Sequence, residues 1–555
     1  MSDRPVTNAR SRRRAGRLGF ADVLLLAVPF LAIFPLRNND LWWHLAAGRL
    51  MVRTGSVPQG DPFSFTGFMG SWIDNEWLSQ LVLYGAFRAG GNLGLVLLRI
   101  GLYTLVFLLI REWLRLGRGP SAFLPSLAVG IALSFGWWEL RPSLFSILGT
   151  LSLVAILERI RRTGRGFAAL PVLFLVWASV HPGFLFGACI LVGTVAALYA
   201  ERILSDWPKW TGETGVPTRL AAWTGVAVAA TLVNPYGWKV YSQQVAIAGN
   251  TAYRALLDEW APPGSAFLAL VLATLAALIV LRFRRTAPAS LVPILGAAIL
   301  STTAVRFEEY FALVAVPGVL LQIGGSGLRR PRIVVLGALL GASLLLGLRS
   351  PLSEGLGEGH PSSTTIDTVE ARVDARLRRN AVLVAGVLAA SALVSIRGGR
   401  ARGWPGRHGR SRATVAVLAP VVAVAASVAW VAPRVGRVPD DYVEAGRYPT
   451  TCLSALAPGA PRVFNRLSWG GWLIWKADVR TFVDGRCWGQ PIFFEYQRCH
   501  TSACPALLDA YGIDRVIVAK SDATTRVLAS DPAWRLTCED AASVVFARDL
   551  PLRAR

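Results

Sequence analysis

The stretch of this chain richest in reactive side chains lies near its start. It reads NNDLWWHLAAGRL from Asn38, then GDPFSF from Gly60 and IDNEWL from Ile73. Asp40 and His44 are four residues apart and share a face if the segment is helical. Asp61, Asp74 and Glu76 follow, interleaved with Trp42, Trp43, Trp72 and Trp77. Carboxylates beside tryptophans at a membrane surface suit a sugar. Indole rings stack on its apolar faces, while carboxylates accept hydrogen bonds from hydroxyls, hold a divalent ion, or take the proton of an acceptor hydroxyl. Asp40 and His44 form the candidate metal pair. A plainer reading takes the same residues as an interfacial amphipathic helix, with Asn39 or Asp40 as N-cap and Trp at the headgroups. Asp61 before Pro62 is then a turn former.

Other polar residues fall between later apolar blocks. Glu139 and Arg141 flank a short turn. His181 stands in VHPGF, and Asn234, Tyr236 and Trp238 in LVNPYGW. Asp258, Glu259 and Trp260 follow, then Arg306, Glu308 and Glu309. Ionisable groups near membrane depth are costly and often functional, and arginines suit a lipid phosphate. Each also has a structural explanation: Glu139 with Arg141 as an ion pair, His181 as a helix cap. There is no Gly-rich phosphate loop, Gly-x-Ser-x-Gly elbow or His-Glu-x-x-His helix, so nucleotide hydrolysis and proteolysis have no visible machinery.

The elements that must position these residues are membrane spans. Of 555 residues, 53 % are hydrophobic and 17 % charged, and 58 Lys+Arg against 34 Asp+Glu give +24. Soluble chains carry about 25 % charged residues. A mean hydropathy of +0.45 with long apolar blocks excludes a disordered chain, a coiled coil and an ordinary cytosolic enzyme. The arginines sit in short clusters between apolar blocks rather than in one patch, so no nucleic-acid partner is expected. Apolar blocks near 18–36, 93–110, 121–138, 143–157, 167–180, 184–200, 219–233, 265–281, 288–304, 310–323, 332–348, 381–396 and 413–432 predict about thirteen spans. With the N-terminus inside, loops 111–119, 158–166, 201–218, 282–287, 324–331 and 397–412 fall inside, and nearly every one is Arg-rich. The segments carrying the acids then fall outside. Charged residues in mid-span and broken helices in matching halves, which would mark a transporter, are not expected here.

Residues 1–17 read as a basic cytoplasmic N-terminus, 18–432 as the multi-span domain with a large outer loop at 37–92, and 433–555 as an extracytoplasmic α/β domain. In this tail the short apolar runs at 462–464, 472–475, 481–483, 516–519 and 543–546 have strand lengths, and 493–511 and 524–530 read as helical. Five of the six cysteines lie there: Cys452, Cys487, Cys499, Cys504 and Cys538. An oxidising face permits one or two disulfides, and no Cys-x-x-Cys pair supports zinc.

This pattern resembles the polytopic glycosyltransferases of the GT-C fold, which use polyprenyl-phosphate-linked sugars. The span count and C-terminal domain look most like the oligosaccharyltransferase catalytic subunit. SWGGWLIWKADVRTFVDGR, from Ser468, is similar to the region around that subunit's Trp-Trp-Asp-Tyr-Gly motif. Here Gly470 and Gly471 replace the motif's Asp-Tyr part, which puts protein N-glycosylation in doubt. DLWWH, DPFS, Glu76–Leu78 and WGGWLIW with VDGR also look like a group of bacterial GT-C-like membrane proteins.

The resemblance implies an integral-membrane glycosyltransferase acting on the outer face of the plasma membrane. Its partners would be a polyprenyl-phosphate sugar donor, membrane lipids and a glycan, lipid or protein acceptor. Asp40 would activate the acceptor or help bind Mg or Mn, with Glu76 or Asp61 in support. Arg141 and Arg306 would meet the lipid phosphate. His44, His181 and Tyr236 would line the site, and Trp469, Trp472 and Asp484 would face the acceptor. The alternatives are a non-catalytic lipid-linked glycan binding or scaffold protein, or a transporter, of the same fold.

Overall fold

The computed structural model describes residues 25–324 and 448–549, except 26, 37, 69, 71, 205, 250–257, 261, 283–284, 457–461, 488–489 and 503–504. The expected spans at 332–348, 381–396 and 413–432, the loop at 397–412 and the segment 1–17 lie outside the described residues.

The first described part is a bundle of helices joined by short turns. Trp77–Leu116, Pro120–Trp137, Ser143–Thr163 and Phe184–Ile203 are long and apolar enough to cross a membrane. Ala169–Val180, Phe267–Leu281 and Pro288–Ser301 are shorter apolar helices. Their positions follow the expected blocks, and the architecture is that of a polytopic helical membrane protein. The 40-residue Trp77–Leu116 element bends at Gly90 and Gly91, where Gly91 has φ 56° and ψ −142°. That conformation is open essentially to glycine alone. The bend falls next to the boundary expected between loop 37–92 and the first span after it.

Mid-span charge was not expected, yet Arg99 is 1 % exposed inside this element. Its Nε donates to Ala32 O at 3.0 Å and its Nη2 donates to Phe34 O. Its guanidinium lies 3.8 Å from the Phe34 ring centroid. The side chain thus gives hydrogen bonds to carbonyls just past the Ala27–Leu31 helix.

Up–down alternation sorts the turns to two ends. At one end the basic turns are tied together. Arg162 donates to Gly117 O at 2.9 Å, Arg202 to Thr214 O at 3.3 Å and Arg219 to Gly164 O at 3.4 Å. The acid- and histidine-bearing turns collect at the other end.

The C-terminal part is a four-stranded sheet, order β1-β2-β4-β3, of Val463–Asn465, Arg515–Ala519, Trp534–Glu539 and Ser543–Arg548 (β1 to β4 in chain order). β1 and β2 are parallel, and the remaining pairs are antiparallel. Helices Pro491–Ser502 and Ala523–Ser530 flank it, and Cys452–Cys538 is a disulfide. Two expectations are corrected. Trp472–Trp475 lies in a helix, Gly470–Ala477, rather than a strand. Thr481–Val483 contributes only bridges at Thr481, and β3 was not foreseen.

Candidate functional site

The Asp40–Thr54 helix carries the first acid at its N-terminus. Leu41 to Gly48 are buried, so this is not a helix lying in the headgroups. Its N-cap, Asn39, makes no side-chain cap bond. Instead Asn38 Oδ1 accepts the Asp40 N–H at 2.7 Å. The tail's Gly470–Ala477 helix lies across it. A Cβ on Gly471 would stand 2.9 Å from Asn39 O and 3.1 Å from Trp43 N, and one on Gly470 would stand 2.6 Å from Asp484 Cβ. The glycine pair is therefore what two backbones in contact require. Trp42 and Trp472 meet edge to face at 4.8 Å, and Tyr448 donates to Asn39 Oδ1 at 2.6 Å.

Asp40 Oδ1 accepts Trp43 Nε1–H at 3.3 Å. Gly485, from the tail, abuts the same oxygen: a Cβ there would collide with Asp40 Oδ1 and lie 3.1 Å from Trp43 Nε1. Burial pushes the Asp40 carboxyl up to about 6, against the opposing pull of Arg141.

Glu76, at the start of the Trp77 helix, sits between two imidazoles. Its Oε2 is 3.8 Å from His44 Nδ1 and its Oε1 is 3.6 Å from His181 Nε2. His181 Nδ1 accepts the Gly183 N–H at 3.0 Å and lies 2.7 Å from Ser146 Oγ, which itself accepts Trp177 Nε1–H at 2.9 Å. With Nδ1 an acceptor, the proton of the neutral ring sits on Nε2 and faces Glu76. Burial pushes Glu76 up to about 8, an effect added to by Asp74 and Asp40. Burial, then Arg306, pushes His181 down to about 3, and burial likewise lowers His44. The trio is neutral near pH 7. His44 Nδ1 is buried and has no hydrogen-bond partner among the described residues.

Beside Asp40 runs an alternating chain of charge. Arg141 Nε donates to Glu139 Oε2 at 2.9 Å, Arg141 Nη1 to Glu259 Oε2 at 3.0 Å, and Arg306 Nη1 to Glu259 Oε1 at 3.1 Å. Arg306 also rests 4.7 Å from the Trp260 ring centroid. Burial disfavours the Arg141 charge, but Glu139, Glu259 and Asp40 outweigh it and raise its pKa.

Asp40, His44, Glu76, Arg141, His181 and Arg306 thus share one end of the bundle. The other sequence candidates hold structure together. Asp61 Oδ1 accepts from Arg486 Nη1 at 2.9 Å, from Phe63 N–H at 3.0 Å and from Ser64 N–H at 3.3 Å, and its Oδ2 accepts from Ser64 Oγ–H. Asp484 takes Arg486 Nε at 2.9 Å and Nη2 at 2.7 Å. Phe63 and Trp72 flank that guanidinium at 5.0 and 4.9 Å. Tyr236 donates to Pro58 O at 2.6 Å, and Trp472 Nε1 to Pro449 O at 2.7 Å. Trp469 is 3 % exposed. Asp74 caps the Trp77 helix by accepting the Glu76 N–H at 3.2 Å and Gln80 Nε2–H at 2.8 Å.

No three His, Cys, Asp or Glu side chains converge as a metal group among the described residues. Asp40 faces Trp43, His44 faces Glu76, and Glu139 and Glu259 already face guanidiniums. These donors do not fit a metal held by protein ligands alone.

No family model and no curated protein matches the chain. Among solved structures, ArnT from Cupriavidus metallidurans in the apo state matches with TM-score 0.51 and 16 % identity, over 95 % of this chain and 97 % of that one. The same protein bound to undecaprenyl phosphate matches with TM-score 0.50 and 17 % identity, over the same shares. The Archaeoglobus fulgidus oligosaccharyltransferase, tethered to an acceptor peptide, matches with TM-score 0.48 and 12 % identity, over 90 % of this chain and 69 % of that one. The chain has a GT-C-like fold. In this GT-C-like chain, the sequence did not reveal the roles of two participants. Gly485 shows itself only by its contact with Asp40. Glu259 was noted for its position, but its two-arginine bridge was not foreseen.

Proposed function

We propose that this chain is an integral-membrane glycosyltransferase that moves a sugar from a polyprenyl-phosphate-linked donor to an envelope acceptor on the outer face. Residues 18–432 form its membrane domain and 433–555 its extracytoplasmic domain. The observation that carries the reading is a buried carboxylate, Asp40, within electrostatic reach of Arg141, which Glu259 links to Arg306, at one end of a GT-C-like bundle. A solved structure of that fold, ArnT, binds undecaprenyl phosphate, which supports a lipid phosphate as the group the arginines meet.

In this reading Asp40 accepts the proton of the acceptor hydroxyl. The freed oxygen bonds to the anomeric carbon, and the bond from that carbon to the phosphate oxygen breaks. The phosphate leaves with the electron pair, its charge met by Arg141 and Arg306. A carboxyl titrating near 6 is ionised at neutral pH yet basic enough to take the proton. His44, Glu76 and His181, all neutral, offer hydrogen bonds to sugar hydroxyls without adding charge. No step is assigned to a metal.

The decisive test is Asp40→Asn in the purified protein with an undecaprenyl-phosphate sugar. Transfer is expected to fall at least 100-fold, with donor binding and the melting profile kept. Wild-type protein that binds the donor but never turns it over would instead support the lipid-glycan binding reading. Movement of the lipid-linked sugar across liposomes without a new glycosidic bond would support transport.

A further inference from the structure

The two arginines proposed to meet the donor phosphate already hold an anion. Glu259 presents one carboxylate oxygen to each guanidinium, Oε2 at 3.0 Å from Arg141 Nη1 and Oε1 at 3.1 Å from Arg306 Nη1. Two oxygens of one anion spanning two guanidiniums is also how a phosphate is clasped. Glu139, Arg141, Glu259 and Arg306 carry −1, +1, −1 and +1, which sums to zero. Asp40 beside them makes the neighbourhood negative. An incoming phosphate is therefore opposed unless a carboxylate gives way.

The two carboxylates are not equivalent. Glu139 belongs to the same turn as Arg141 and engages its Nε edge. Glu259 sits on a separate one-turn segment, Asp258–Trp260, and its side chain is 27 % exposed. The neighbouring Trp260 ring supports Arg306 at 4.7 Å without depending on Glu259. Removal of the Glu259 carboxylate from between the arginines leaves Arg141 with Glu139 and Arg306 on Trp260.

We propose that Glu259 is an internal stand-in for the donor phosphate: it holds Arg141 and Arg306 in place while the site is empty, and the phosphate displaces it on binding. This rests on the reading of the two arginines as the phosphate site and adds a residue that sets donor affinity by competition. A neutral glycan gains nothing by displacing Glu259, so the exchange selects for an anionic donor. No bond is made or broken in the step, and only ion pairs are exchanged.

The test measures binding of undecaprenyl phosphate to the full chain in detergent, with inorganic phosphate titrated separately. Glu259→Gln is expected to bind undecaprenyl phosphate at least tenfold more tightly than wild type, and Glu259→Asp, whose shorter side chain retreats from the arginines, to shift in the same direction. If Glu259→Gln fails to fold, Glu259→Asp carries the test. The inference is overturned if the folded variants bind no more tightly than wild type while Arg306→Gln loses binding. The arginine site then stands, and Glu259 only braces it. If Arg141→Gln and Arg306→Gln both bind as wild type does, the phosphate reading fails and this inference with it. Tightening toward inorganic phosphate as well would identify the phosphate group alone as the displacing element. Tightening confined to undecaprenyl phosphate would show that the lipid chain is required, and both results support the exchange.

Discussion

Glu76, clasped between His44 and His181, gives the site a pH signature. An ordinary glutamate titrates near about 4.3, and here burial lifts the group to about 8. Between those values the folded chain keeps a proton that the unfolded chain has released, so stability falls as pH rises through the window. The melting temperature of wild type is expected to drop between pH 5 and pH 8.5 by more than that of Glu76→Gln, which has no proton to lose. Equal drops would mean Glu76 is ionised. For the proposed transfer, Asp40 must be ionised. The rate constant kcat/KM is expected to rise about tenfold per pH unit below about 6 and to level above it, measured as a pH–rate profile. These residues were legible in the sequence because ionisable side chains among apolar blocks have few explanations. Asp61 and Asp484 were legible only as acids. Their work depends on Arg486, which lies 425 residues from Asp61, and no local pattern shows that separation.

At the scale of elements, the glycines and the arginine of the tail decide how closely the two parts approach. Gly485→Ala drives a methyl into the Asp40 carboxylate. Misplacing a reacting group by about 1 Å can cost on the order of 100-fold in rate. Transfer by this variant is expected to fall about that far while undecaprenyl phosphate still binds, a split that simple unfolding would not give. Arg486→Ala strands two buried carboxylates, and breaking such a pair costs about 3–5 kcal/mol, read as a lowered urea midpoint. The WLIW run was read as a strand because a short apolar run has no period that separates helix from strand. What settles it is tertiary: Gly471 packs the segment against the Asp40 helix, and Gly470 packs it against Val483 and Asp484. β3 was missed because the expected strands were taken from contiguous apolar runs, whereas Trp534–Glu539, WRLTCE, alternates apolar with polar residues and buries only Trp534.

At the scale of the whole molecule, alternation of apolar blocks with arginine-rich turns was enough to forecast which of the described turns share an end. Tertiary ties such as Arg162 to Gly117 and Glu76 to His181 join those same turns. Which end faces out is a separate matter and open to direct measurement. A cysteine introduced at position 60, with Cys189, Cys487, Cys499 and Cys504 replaced, is expected to react in intact cells with a maleimide that cannot cross the membrane. Labelling only after the cells are broken would reverse the orientation and remove the proposed reaction from the outer face. The Cys452–Cys538 bond, spanning 86 residues, is expected to contribute about 2–5 kcal/mol to the tail. Cys538→Ser should lower the urea midpoint by a matching amount, and reductant should do the same to wild type.

The first loop and the tail are also stitched together through their backbones. Ser64 and Val463 both bridge to Thr481, with Thr481 N–H donating to Phe63 O at 3.0 Å and Phe65 N–H to Thr481 O at 3.2 Å. A ribosome delivers the Ser64 half of that seam more than 400 residues before the Thr481 half. Until the tail is made the acid at position 40 therefore waits without its Gly485 neighbour, and the membrane helices can be inserted long before the proposed site is complete. On the proposed reading, a chain cut short before Gly485 would be lodged in the bilayer without its reacting groups in place, so activity would wait on synthesis of this seam.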